Sequence, residues 1–133
     1  MAVTRTAVNP WPWSVAFGFD QAALLEGAGR VLVCSGQAAV SADGTPQHPG
    51  DLAAQVALTL DNIDTVLRDG GMTLADLVRM TVYTTDVDAM MGCWGVVAER
   101  LGAAGVRPTS TLVGVTRLAF AELMVEIEVT AVA

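Results

Sequence analysis

The sequence predicts one α+β domain spanning residues 1–133, with two helices packed on one face of a mixed sheet in the order β-β-α-β-α-β-β. Three observations lead there. A chain of 133 residues has the length of a single domain, and at this size roughly two-thirds of the unfolded surface is buried, so no metal or disulfide staple is required. Two stretches repeat apolar residues at helical spacing, while others alternate or are rich in β-branched residues, as strands are. Hydrophobic residues make up 53% and charged residues 16% of the chain, which excludes a disordered, solvating polymer.

The elements follow in order. After a Trp/Pro-rich opening, Asn9 to Trp13, residues Ser14 to Phe19 are expected to form an edge strand. Arg30 to Ser35 (RVLVCS) reads as a strand stopped by Gly36. Ala42 to Gly50 has loop composition and leaves His48 exposed beside Pro49. Asp51 opens a helix whose Leu52, Val56, Leu60, Ile63 and Leu67 share a face, with Asp61, Asp64 and Arg68 on others; Gly70-Gly71 end it. Val78 to Thr85 alternates as a strand. Asp86 is the expected N-cap of a second helix, running to Gly102. Its stripe of Val87, Met90, Met91, Trp94, Val97 and Leu101 makes Trp94 a core or interface residue. Gly92 and Gly95 inside it each cost about 1 kcal/mol relative to alanine. The favoured reason is close packing of another backbone; the other is room for a ligand or a neighbouring subunit beside Cys93.

Ser110 to Thr116 and Glu122 to Val132 are the closing strands. In the last, Leu123, Val125, Ile127, Val129 and Ala131 should face the helices, and Met124, Glu126, Glu128, Thr130 and Val132 the opposite side. Two helices cover only one sheet face, and a mixture of apolar residues with two glutamates suits a face half covered by another chain. The mean hydropathy of +0.50 points the same way, toward self-association. Glu126 and Glu128 lie roughly 7 Å apart along the strand. That spacing fits either a proton-transfer pair, in which like charges raise one pKa, or an exposed acidic edge.

Charge excludes several functions. Fourteen acidic residues against seven basic give a net charge of −7. All the basic residues are arginines, scattered at Arg5, Arg30, Arg68, Arg79, Arg100, Arg107 and Arg117, so no cluster can neutralise a run of phosphates or draw the chain to an anionic membrane. The lack of lysine excludes a side-chain Schiff base. One histidine and two cysteines assemble neither a familiar zinc set nor a disulfide framework. Cys34 and Cys93 read as inert thiols, since no base accompanies them. No targeting signal or long apolar run is evident, so a cytoplasmic, metal-free and cofactor-free protein is expected. The hydroxyl run Thr109, Ser110, Thr111 after Pro108 either binds a polar ligand or satisfies a turn.

The segments VCSGQ (Val33 to Gln37), LDNIDTVLRDGG and VYTTDVD within Gln55 to Asp88, and PTSTLVGVTRL running into VEIEVTAVA together resemble the YjgF/RidA family, in order and spacing over nearly the whole chain. The resemblance implies a chorismate-mutase-like fold, a homotrimer with a central barrel of sheets, and ligand clefts between subunits. It implies hydrolysis of small enamines and imines, with Glu126 orienting water and Ser35 at the site. Deaminating members carry an arginine two residues after the proline that opens the penultimate strand, where it grips the substrate carboxylate; here that position is Ser110. An asparagine of the cleft is replaced by Cys93, and Trp11 and Trp13 reshape the entrance. Thr109, Phe17, Trp13 and Arg107 complete the candidate substrate-binding set, with Arg107 or Arg117 as conceivable substitutes for the missing cation. Three readings stand open. The first is a hydrolase or deaminase for imines, enamines or related carbonyl compounds that are less anionic than aminoacrylate. The second is a non-deaminating enzyme of a specialised pathway using the same cleft, and the third a non-catalytic trimer that binds a ligand or partner. A nuclease is disfavoured by the negative charge.

Overall fold

The computed structural model describes residues 3–27 and 29–133. The strands are β1 (Thr4–Val8), β2 (Ala22–Glu26), β3 (Val31–Val33), β4 (Gln37–Ala38), β5 (Leu77–Thr84), β6 (Thr109–Gly114) and β7 (Val125–Val132). The helices are α1 (Leu52–Asp69), α2 (Val87–Gly92) and α3 (Trp94–Ala103), with 3-10 turns at Pro12–Phe17 and Leu74–Asp76. β7 lies at the centre of the main sheet. It runs antiparallel to β5 on one side and to β3 and β4, placed end to end, on the other, while β6 joins β5 in parallel. The sheet is therefore mixed, as expected.

β7 alternates buried and half-buried along its whole length. Val125, Ile127, Val129 and Ala131 join Met80 and Val82 of β5 against Val56, Leu60, Ile63 and Leu67 of α1 and Val97 and Leu101 of α3. This one-sided core is what the period-2 and period-3.6 patterns demand of each other. The opposite face carries Arg79, Thr81 and Tyr83 of β5 and Glu126, Glu128, Thr130 and Val132 of β7, and no helix of the described residues packs on it. Asp51 caps α1 by accepting from the Ala54 N–H at 3.1 Å. Gly71, at φ 77°, supplies the left-handed residue that lets the chain leave the helix.

Several expectations are corrected. Residues 14–19 are not an edge strand. Pro12, whose ring fixes φ near the helical value, starts the 3-10 turn Pro12–Phe17, and Gly18 at φ 87° ends it. A hairpin of β1 and β2, unforeseen in the sequence, flanks that turn in register from Thr4 opposite Glu26 to Val8 opposite Ala22. Buried Asp20 anchors the hairpin by accepting from Asn9 Nδ2 at 2.9 Å and Arg107 Nε at 2.5 Å. The second helix is not continuous but breaks at Cys93, where ψ rises to 18°. Two flanking glycines lower the helical preference there, and no backbone packs on them: nothing lies within 4 Å of a Cβ built at Gly92 or Gly95. The last strand begins at Val125 rather than Glu122, because the side chain of Gln55 takes the place of a strand partner. Its Nε2 donates to the Glu122 carbonyl at 2.8 Å and its Oε1 accepts from the Met124 N–H at 2.9 Å.

Candidate functional site

The acidic part of the site is built on the open sheet face. Register pairs Glu126 with Tyr83 of β5 and with Ala38 of β4. The Glu126 carboxylate lies over Gly36, where a Cβ would overlap Oε1, so a larger residue between Ser35 and Gln37 would displace the carboxylate. Glu126 makes no side-chain hydrogen bond among the described residues, whereas Glu128 accepts from the Tyr83 hydroxyl at 2.6 Å. That bond to a carboxylate pushes the Tyr83 phenol above its ordinary pKa. The two glutamates thus differ: Glu128 is engaged by Tyr83, and Glu126 is unengaged over Gly36, the neighbour in sequence of exposed Ser35. The segment is fixed from behind, since buried Thr84 donates to the Met124 carbonyl at 2.8 Å and Gln55 holds the Met124 N–H. Asn62 ties β4 to α1 by donating to Ala38 and Val40 carbonyls at 2.9 and 3.0 Å.

A second feature lies on the other face of the sheet. A cavity of about 260 Å³ is walled by Trp13, Phe17 and Phe19 from the 3-10 segment and by Met91 and Trp94 at the α2–α3 break. Ser110 and Leu112 of β6 form its floor. Trp13 meets Phe17 and Phe19 edge-on, with ring centroids 6.3 and 5.7 Å apart, an arrangement favoured by the ring quadrupoles. The Trp94 indole N–H donates to the Phe17 carbonyl at 3.1 Å and so locks the 3-10 turn onto α3. Among the described residues no charged side chain lines this cavity. The Ser110 hydroxyl, with no hydrogen-bond partner among the described residues, is its one hydroxyl, beside the indole N–H groups of Trp13 and Trp94.

Trp13, Phe17 and Ser110, all expected at a binding site, therefore meet in one cavity. Glu126 and Ser35 do not join them. Ser110 and Leu112 register with Met80 and Val82, on the helix side of β5, while Glu126 registers with Tyr83 on the open side. Thr109 is not available, because its hydroxyl donates to the Val78 carbonyl at 2.7 Å. Arg107 lies outside the cavity with its guanidinium on Asp20, and Arg117 is exposed in the loop between β6 and β7; neither stands in for a cation at Ser110. Cys93 sits at the break between Met91 and Trp94, and its Sγ is within 3.3 Å of the Ala89 carbonyl. Burial pushes the thiols of both Cys93 and Cys34 up. His48 is exposed in its loop. Among the described residues no group of three His, Cys, Asp or Glu could hold a metal ion, and no helix is long and apolar enough to cross a membrane.

The sequence reading missed Phe19, Met91 and Leu112 as cavity residues and took Trp94 as core or interface. The available signal was Pro12, a residue favoured in the first turn of a helix and disfavoured inside a strand; the spacing of four between Trp13 and Phe17 puts both rings on one face of either element.

Comparison with known proteins places these features in context. Residues 15–133 match the family described as Endoribonuclease L-PSP. The RutC family protein YjgH of Escherichia coli is 32% identical over 117 residues, 88% of both chains. Protein mmf2, mitochondrial, of Schizosaccharomyces pombe is 35% identical over 86 residues, which span 65% of this chain and 64% of that one. The 2-iminobutanoate/2-iminopropanoate deaminase of Escherichia coli is 33% identical over 60 residues, 45% of this chain and 46% of the enzyme. Among solved structures, YyfB of Yersinia pestis, a protein of unknown function of the conserved Rid family, superposes with a TM-score of 0.82 at 37% identity, covering 97% of this chain and 98% of its own.

Proposed function

From the premise that the chain belongs to the endoribonuclease L-PSP family, the YjgF/RidA family, we propose that it is a small-molecule hydrolase that converts imines, or enamines through their imine tautomers, to carbonyl compounds and ammonia. The observation that carries this reading is the Glu126 carboxylate, which lies over Gly36 in the Ser35–Gly36–Gln37 segment with no hydrogen-bonded partner of its own among the described residues. Such a carboxylate can take a proton from a bound water as the water oxygen bonds to the imine carbon. The proton that Glu126 takes from the water is returned to the imine nitrogen, which receives the C=N π electrons as that bond opens. In the collapse of the resulting carbinolamine Glu126 takes the hydroxyl proton and passes it to the leaving nitrogen, so that the C–N bond breaks, the carbonyl forms and ammonia is released with the carboxylate regenerated. In this reading two copies of the chain in a homotrimer share the site, which is supported by the placement of Glu126 and the Ser110 cavity on opposite faces of one sheet. Support for the reaction type also comes from the likeness to the 2-iminobutanoate/2-iminopropanoate deaminase.

Ser110 sets the substrate preference. A neutral hydroxyl contributes about half of what a charge-assisted bond to a carboxylate does, so neutral imines are preferred to 2-imino acids. The test generates imines in place, from amino acids with an amino-acid oxidase and from amines with an amine oxidase, and lets the protein compete with a semicarbazide trap. Glu126→Gln should lower kcat/KM at least about 100-fold with the assembly unchanged. Equal rates for the parent and Glu126→Gln proteins would dismiss the mechanism, and absence of turnover on every imine would leave a ligand-binding protein.

A further inference from the structure

The aromatic cavity has a chemistry of its own, and we infer that it receives the uncharged, ring-bearing part of the substrate, with one oxygen or nitrogen next to the ring held by the Ser110 hydroxyl. This rests on the reading of the shared cleft as the imine-hydrolysing site and adds what that site selects. Size is the first argument. A dry cavity of roughly 150 Å³ accepts benzene, so about 260 Å³ accommodates one six-membered ring and a short substituent, while a two-carbon side chain would leave much of the space empty.

The walls supply the second argument. Trp13, Phe17, Phe19 and Trp94 offer ring faces and edges and Met91 a polarisable sulfur, surfaces that gain most from another ring. Trp13 and Phe17 remain 58% and 48% exposed, so an apolar occupant removes their surface from water. The third argument is charge. No cation lines the cavity: Arg107 is held by Asp20, and Arg79 donates to Thr111 Oγ1 at 2.7 Å on the other sheet face. A carboxylate placed here would lose its hydration without an ionic partner. The indole N–H of Trp94 is already given to the Phe17 carbonyl, which leaves the Ser110 hydroxyl, able both to donate and to accept, and the donor-only Trp13 indole N–H to orient a polar atom of the ligand.

The test measures binding in the Glu126→Gln protein, so that turnover does not enter. Acetophenone, benzoate and acetone are titrated while the tryptophan fluorescence and the indole N–H resonances are followed. Acetophenone should bind at least tenfold more tightly than either benzoate or acetone, and should shift the indoles of Trp13 and Trp94. Leu112→Phe, which adds a ring at a cavity-lining position and keeps an apolar side chain against the core, should weaken acetophenone at least tenfold. Ser110→Arg should reverse the order, so that benzoate binds more tightly than acetophenone. Equal affinity for the three probes, or acetophenone binding indifferent to Leu112→Phe, would overturn the inference. So would absence of binding by any probe, the result expected if a second copy's side chain stoppers the cavity. Imine hydrolysis unaffected by Glu126→Gln, together with selective acetophenone binding, would instead remove the proposed reaction and leave the ring site standing.

Discussion

The Cys93 thiol lies within 3.3 Å of the carbonyl of Ala89, one turn back along α2, and burial raises its pKa. Both features oppose a thiolate, and the base that a nucleophilic cysteine needs is absent from its surroundings: His48 lies in the loop before α1. Alkylation at neutral pH should therefore be slow. Iodoacetamide labelling of Cys93, read by peptide mapping at pH 7.5, is expected to run roughly threefold or more below the rate of free glutathione; faster labelling would restore Cys93 as a reactive group. Single residues were legible where alternation decides them. Glu126 and Glu128 fall on the open face because β7 has a strict period of two. Their difference was not legible, since it depends on Tyr83 reaching Glu128 across the sheet and on Gly36 leaving room beneath Glu126.

Elements with a long period could be read, and those whose form depends on partners could not. The α1 stripe and its Asp51 cap are patterned locally, and both are found as expected. The 3-10 turn Pro12–Phe17 is held by distant groups, above all the Trp94 indole on the Phe17 carbonyl, so its apolar residues gave a false strand signal. The start of β7 is a similar case. Gln55, wholly buried in α1, binds the Glu122 carbonyl and the Met124 N–H, and it thereby sets where β7 begins and how Glu126 is presented. Within a helical pattern a glutamine signals solvent, which is why this role was invisible. Gln55→Leu keeps the side-chain volume but takes the amide partner from backbone groups that include the Gln47 and Glu122 carbonyls and the Met124 N–H. A loss of about 2–4 kcal/mol is expected, read as a lower denaturant midpoint with an unchanged slope. A loss below about 1 kcal/mol would mean that water replaces the amide, and that the Gln55 bonds do not fix the strand end.

At the scale of the molecule, one sheet separates the two candidate features. The Glu126 carboxylate projects from the open face and the aromatic cavity lies on the helix side, and side chains that register across β5 cannot change faces without shifting the whole strand. A single chain therefore cannot deliver Glu126 to a ligand seated on Ser110. The open face was legible from the last strand alone, whereas the division of the site followed only once β6 was known to be parallel to β5 with Ser110 opposite Met80. Shared sites have a kinetic signature. Glu126→Gln destroys one half and Leu112→Phe blocks the other, so each protein alone should be inactive on a ring-bearing imine. After the two are unfolded together and refolded at equal amounts, random association brings an intact carboxylate to an intact cavity at about one interface in four. Hydrolysis should then return to about a quarter of the parent rate, and simple mixing of the folded proteins should restore it only as fast as subunits exchange. Activity that stays at zero after joint refolding, with mixed assemblies verified by mass, would mean that both halves must come from the same chain and that some rearrangement of β6 brings Ser110 to Glu126.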